Sequence, residues 1–303
     1  MKKSLLSLLA LSAMLSMFAC KSNTSGQEGE DQSSDDEESA KVEIVDVKKP
    51  KVPKNEGVVR VLFVGNSHTD YYVSLPMLLK SFCSENGKEV EVDELVTMGA
   101  SIDEIMNDNK AKAEQLFSSA DDDGNYYDYI ILQEKTGVAI TELDDYKANC
   151  KSVAEQVWVN SPDVAIYIYE LMSPLEYDDS DFKDYGDESL ANATQVAKSL
   201  KNAGVLRIGS AVADAYGGKE GYQAVVGGKD LLRHGQNTLH ILNDGGFLCG
   251  ALIYRTIYNE SPKVPAQLPL STGTGDYDEV KMQDVNSTIS NADALLKIAA
   301  GYK

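Results

Sequence analysis

From Val58 onward, apolar runs of strand length alternate with segments of helical period. That alternation admits few folds other than a parallel sheet covered by helices. Val58–Val64 is apolar throughout except for Arg60, as expected of a strand buried on both faces. The periodicity predicts a helix over Val73–Asn86 closing at Gly87, a strand at Val90–Val96, a helix over Ile102–Phe117 and a strand at Tyr127–Leu132. A helix over Leu143–Val159, a strand at Val164–Leu171, a helix over Leu190–Asn202 capped by Gly204 and a short fifth strand at Val205–Ile208 follow. No segment repeats. The expectation is one α/β domain over residues 57–303, a three-layer α/β/α sandwich around a mainly parallel five-stranded sheet. Ser173–Glu188, rich in Asp and carrying Pro174, and the Gly-rich Gly217–Gly228 are expected to be loops. Open α/β sheets take ligands where such loops lie, outside the carboxyl ends of the strands.

The chain begins differently. Lys2 and Lys3 precede an apolar run from Leu5 to Phe18, then Ala19 and Cys20, the pattern of an export signal over residues 1–19. The run is shorter than the roughly 20 residues a bilayer span needs. Met17-Phe18-Ala19-Cys20 resembles a bacterial lipobox, which implies lipidation of Cys20 and a cell-envelope lipoprotein held to the membrane only through that anchor. Residues 20–56 are polar and nearly free of aromatics, so they cannot bury enough apolar surface to offset the entropy of ordering and are expected to be a disordered acidic tether. As a flexible coil, such a segment spans roughly 30–36 Å. Lys21–Glu56 holds 10 acidic and 6 basic residues, so most of the net charge of −20 belongs to the folded part. An anionic chain without a clustered Lys/Arg stripe is repelled by phosphate backbones, which argues against a nucleic-acid partner.

Chemistry concentrates in a few places. Val61–Asp70 runs an apolar strand into Gly65-Asn66-Ser67-His68 and then toward a helix. A Ser on such a turn has an exposed hydroxyl, and its N–H lies near a helix N-terminus that favours developing negative charge. The G-x-S-x-G pattern is not met, since Thr69 stands where the second Gly would be, and capping of the helix by Ser67 is the alternative. After the second strand comes Thr97-Met98-Gly99-Ala100-Ser101, where Gly99 can bring its N–H close to a reacting oxygen. After the third comes Leu132-Gln133-Glu134, and toward the C-terminus His240 precedes a helix expected over Gly245–Tyr258.

These four blocks, in this order between Arg60 and Pro262, resemble the GDSL/SGNH hydrolase superfamily, in the bacterial branch that opens with G-N-S-F/H-T. The resemblance implies an SGNH/flavodoxin-like fold and serine esterase activity, with Ser67 as nucleophile and His240 as base. It further implies an oxyanion hole built from the N–H groups of Ser67 and Gly99 and the side-chain amide of Gln133. His240, Gly245, Phe247 and Leu248 match the spacing of the last block. One position departs from it: Asn237 stands three residues before His240 where the family has Asp. A carboxylate there fixes the imidazole tautomer and stabilises the imidazolium, whereas an amide can orient the ring but supplies no charge. Three readings are open: a Ser-His dyad oriented by a backbone carbonyl, orientation by Asp230, or a degenerate site.

His68 points away from Ser67 as its chain neighbour and is not expected to be the base. His234 has no partner motif, and Asp244 is expected to cap the last helix. No spaced His/Cys set and no phosphate-cradling Gly loop is present, so neither metal nor cofactor is expected. Cys83, Cys150 and Cys249 fall in apolar helical segments and read as buried free thiols. The function expected is hydrolysis of a small-molecule or glycan carboxylic ester through a Ser67 acyl-enzyme. The alternative is a non-catalytic surface binding lipoprotein on a degenerate SGNH fold.

Overall fold

A computed structural model describes residues 49–53, 57–122, 124–173, 179–234, 240–272 and 279–302, with the side chains of 179–184 and 234 outside that description. The export signal, Cys20, most of the tether and Asn237 lie outside the described residues.

Strands β1 (Val59–Gly65), β2 (Val90–Val96), β3 (Tyr129–Leu132), β4 (Ala165–Tyr169) and β5 (Ala203–Leu206) form one sheet in the order β2-β1-β3-β4-β5. Every pairing is parallel, with Val61 opposite both Val92 and Tyr129, Leu132 opposite Ile168, and Ile168 opposite Val205. This is the doubly wound order whose switch point falls between β1 and β3, where the crossovers part and leave a crevice at the carboxyl ends. β1, β3 and β4 are buried along almost their whole length, which is why they read as unbroken apolar runs.

Helix α1 (Leu75–Glu85) shows why its segment is helical: Ser74 caps it by accepting from the Met77 N–H, Pro76 sits in the first turn, and Leu75, Leu78, Leu79 and Phe82 line one buried face. The segment expected as one helix is two, α2 (Ile102–Asp108) and α3 (Lys110–Ser118). They part at Asn109, whose Nδ2 donates to Ile105 O at 2.9 Å and to Thr97 Oγ1 at 3.0 Å. Next come α4 (Thr136–Thr141), α5 (Leu143–Val157) and α6 (Asp179–Ser199). α6 overturns part of the expected loop Ser173–Glu188, since helix begins at Asp179. It also ends before Asn202, which takes a left-handed φ of 51° and starts β5 two residues early, with Gly204 inside the strand instead of capping a helix. Ile208, expected in that strand, opens α7 (Ile208–Tyr216).

A single 3-10 turn at Lys219–Gly221 leads to two short antiparallel pairs, β6 (Val225–Val226) with β7 (Lys229–Asp230) and β8 (Arg233–His234) with β9 (His240–Ile241). Helix α8 (Asn243–Tyr258) starts two residues earlier than expected and is buried nearly all round. The antiparallel pair β10 (Gln267–Ser271) and β11 (Val280–Asp284), a short α9 (Val285–Thr288) and α10 (Ala292–Gly301) complete the chain. α1, α8 and α10 pack together on one side, and α5 and α6 with α2 and α4 pack as the other layer. Cys83, Cys150 and Cys249 are buried free thiols in α1, α5 and α8. At the opposite end of the sheet from the crevice, Lys51 exchanges hydrogen bonds with Asn202, which corrects the expected disordered tether at its C-terminal end: residues 49–53 are described and Lys51 lies against the domain.

Candidate active site

β1 ends at Gly65, and the chain turns through Asn66, Ser67 and His68 before α1 begins. Backbone bonds close that turn: Thr69 N donates to Asn66 O at 2.8 Å and Leu75 N to Thr69 O at 3.0 Å. Asn66, almost wholly buried, ties the first block to the second by donating from Nδ2 to Ala100 O at 2.9 Å, while its Oδ1 accepts from His68 N at 3.2 Å. Ser67 Oγ lies 2.8 Å from His240 Nε2, although 173 positions separate the two residues. Gly99 is exposed at a φ of 69°, a conformation that favours glycine. Among the described residues the N–H groups of Ser67 and Gly99 donate to no protein acceptor.

His240 is delivered by an arm with its own anchors. In β8–β9, Arg233 pairs with Ile241 and His234 with His240, and Leu242 N donates to Leu232 O at 2.8 Å. α8 approaches so closely that a Cβ on Gly245 would stand 2.3 Å from Leu232 O and 2.6 Å from Ile241 Cγ2, which explains a glycine there. Arg233, completely buried, donates to Ser173 O at 2.9 Å, pairs with Asp230 at 3.4 Å and lies over the Tyr216 ring at 4.6 Å. The arm is thereby fastened to the segment that follows β4 and to α7.

Aromatic rings surround the His240 imidazole. Tyr71 has its ring centroid 4.6 Å away and tilted 44°, Tyr72 stands edge-on at 5.8 Å, and His68 lies at 5.6 Å. His68 is buried, with Nε2 3.3 Å from Thr136 Oγ1 at the start of α4.

Two expected roles require correction. Gln133 is fully buried: its Oε1 accepts from Asn66 N at 2.7 Å and from Thr69 Oγ1 at 3.1 Å, and its Nε2 donates to Glu134 O at 2.6 Å. Because two donors meet the oxygen, the amide orientation is determined, and its N–H₂ turns into the scaffold and not toward a substrate oxygen. Asp230 is likewise engaged elsewhere: its Oδ1 accepts from Leu232 N and Arg233 N, and its Oδ2 faces the Arg233 guanidinium. It therefore holds the arm, not the imidazole. Asp244 does not cap α8, whose N-cap is Leu242. It is buried, accepts from Tyr222 Oη at 2.7 Å and bonds Ser290, and burial raises its pKa against those bonds.

Several contributors were absent from the sequence reading. Buried Glu134 accepts from Ile102 N at 3.0 Å, Lys135 N at 2.7 Å and Asn149 Nδ2 at 2.9 Å, clamping the second block to the third. Burial pushes its pKa up and those three bonds oppose the shift. The available signal was an acid placed directly after a buried strand. For Tyr71 and Tyr72 it was a pair of aromatics just past the nucleophile turn. Asp70, bridged to Ser74, has its pKa raised to about 6 by burial and by repulsion from Glu94, with the Ser74 hydrogen bond acting the other way. No group of three or more His, Cys, Asp or Glu among the described residues is placed to hold a metal ion.

The fold is similar to that of solved structures described as SGNH or GDSL-like hydrolases. A DUF4886 family protein from Bacteroides uniformis is 13% identical over 81% of this chain and 94% of its own, with a TM-score of 0.54. A protein from Parabacteroides merdae described as a GDSL-like lipase is 11% identical over 70% of this chain and all of its own, at a TM-score of 0.51. A protein from Slackia heliotrinireducens classed with the SGNH hydrolases is 19% identical over 66% of this chain and all of its own, at 0.50. No family model matches the sequence, and no curated protein matches it.

Proposed function

We propose that this chain is a serine ester hydrolase of SGNH type. The observation that carries the reading is the 2.8 Å contact between Ser67 Oγ and His240 Nε2 at the carboxyl end of β1. In the reaction, the Ser67 O–H proton passes to His240 Nε2 as Oγ bonds to the ester carbonyl carbon, and the carbonyl electron pair moves onto oxygen. The Ser67 and Gly99 N–H groups hold that oxyanion. Collapse expels the alcohol, which takes the proton from His240. Water then attacks the acyl-enzyme with His240 again as base, releasing the acid.

The likeness to SGNH/GDSL structures supports the hydrolase class, and the acidity of the domain favours neutral or cationic esters over polyanionic ones. We propose export and a lipid anchor at Cys20 on the signal-like residues 1–19 and the lipobox-like Met17–Cys20, and with that cell-envelope location acylated carbohydrate as the substrate class. Incubation with a neutral chromogenic ester should give a burst of alcohol equal to the enzyme present, with an acyl adduct on Ser67 by mass spectrometry. Neither burst nor adduct from folded protein overturns the reading.

Asn237 favours one second reading, a binding protein that kept the fold and lost the carboxylate. Asn237→Asp separates the two. A gain of several hundredfold in turnover marks the natural site as impaired, and an unchanged rate marks a working dyad.

A further inference from the structure

We propose that Tyr71 is a positioning residue for His240: its ring holds the imidazole plane toward Ser67 and stabilises the imidazolium formed when Ser67 gives up its proton. The inference rests on the Ser67–His240 reading above and adds to it the group that supports the base.

In a serine triad a carboxylate does this work, and this chain has Asn237 at the expected position. Asp230 does not replace it, being bound to Leu232, Arg233 and the Arg233 guanidinium. Among the described residues, Ser67 Oγ and a set of aromatic rings stand against the imidazole. Tyr71 is the nearest ring, with centroids 4.6 Å apart, inside the range over which an aromatic face attracts a cation. An imidazole gains that attraction only on becoming charged, so the interaction is stronger in the transition state than in the ground state, as catalysis requires.

Tyr71 is also held. It sits in a seven-residue loop closed by the bond from Leu75 N to Thr69 O and crossed by the Asp70–Ser74 bridge, and its own N–H donates to Val73 O at 3.3 Å. Buried Tyr72 packs edge-on against its ring at 4.4 Å and reaches His240 at 5.8 Å. The ring is therefore in place before the reaction begins, and no reorganisation is spent in placing it. Among the described residues, the other titratable or charged groups on elements packed around the imidazole are Ser67, His68 at 5.6 Å, Asp70 in the Tyr71 loop itself, Asp244 in the first turn of α8, and Arg233 and His234 on the paired strand β8. The Tyr71 ring favours the charged form of His240 without competing for its proton.

The test measures the rate at which a fluorophosphonate labels Ser67, as a function of pH, in the mature chain and in Tyr71→Phe, Tyr71→Trp and Tyr71→Leu, with melting temperatures alongside. Tyr71→Phe should label within twofold of the parent. Tyr71→Leu should label about tenfold more slowly, with the acidic limb of its profile moved to lower pH because the imidazolium has lost a stabilising neighbour. Tyr71→Trp, with the stronger cation-binding face, should move that limb to higher pH, and it serves if the Leu variant fails to fold. Limbs that coincide in all folded variants overturn the proposal and leave Tyr71 as packing. A parent that is not labelled at any pH overturns the hydrolase reading itself, and Tyr71 then has no base to position.

Discussion

Gln133 shows how much the direction of one amide decides. Its type and its place after β3 are legible in the sequence, but its direction depends on Asn66 N–H and Thr69 Oγ1, which approach from the turn after β1, a strand whose pairing with β3 is set only by folding. Gln133→Leu leaves the buried Asn66 N–H without its acceptor, so stability should fall by about 2 kcal/mol in urea denaturation. An oxyanion donor would behave differently, losing a hundredfold or more in rate with stability little changed. Asp70 makes a prediction in pH. Its folded pKa of about 6 lies above the ordinary 3.8, so the native state binds that proton more tightly than the unfolded chain does. The associated stability is present below about pH 4 and is lost as pH rises through 6. Between pH 4.5 and 7.5 the parent should lose about 1 kcal/mol more than Asp70→Asn, allowing for partial exposure to solvent; equal losses would contradict the shift.

At the scale of elements, what could be read was what local pattern determines. The five strands of the sheet and helices α1, α5 and α8 follow from apolar runs, period and caps, and they appear within a few residues of their expected limits. The misplacements have tertiary causes. Asn109 breaks a continuous amphipathic period because Thr97, twelve residues earlier, accepts from its side chain. The start of α6 lies in an Asp-rich stretch whose composition favours turns, and β10 carries Pro269, which argues against a strand unless the strand is at an edge. Gly245 belongs to this scale because it sets how closely α8 meets the arm bearing His240. Gly245→Ala forces a Cβ onto Leu232 O, so stability should drop by about 2–3 kcal/mol. Labelling of Ser67 should slow in the fraction that remains folded, since the arm must shift. A variant with parental stability and rate would show that the approach is not needed.

For the molecule as a whole, folding brings Ser67 and His240, the two residues the sequence singled out, into hydrogen-bond reach, while the supports of both were hidden in contacts between distant elements. Ser67 is held through Asn66, Gln133 and Ala100, and His240 through Arg233, Gly245 and the Tyr71–Tyr72 loop. The N-terminal segment makes a separate prediction. If Cys20 carries the anchor, Cys20→Ala should leave the membrane fraction while the domain stays folded and active; protein that remains membrane-bound would contradict the anchor.

The central claim is that His240 activates Ser67. It is tested most directly by the second-order rate of fluorophosphonate labelling in the mature protein, in Ser67→Ala and in His240→Ala. The account predicts one adduct per chain, located on Ser67, none in Ser67→Ala, and labelling at least a thousandfold slower in folded His240→Ala. Labelling of His240→Ala at the parental rate, or none in the folded parent, would contradict it.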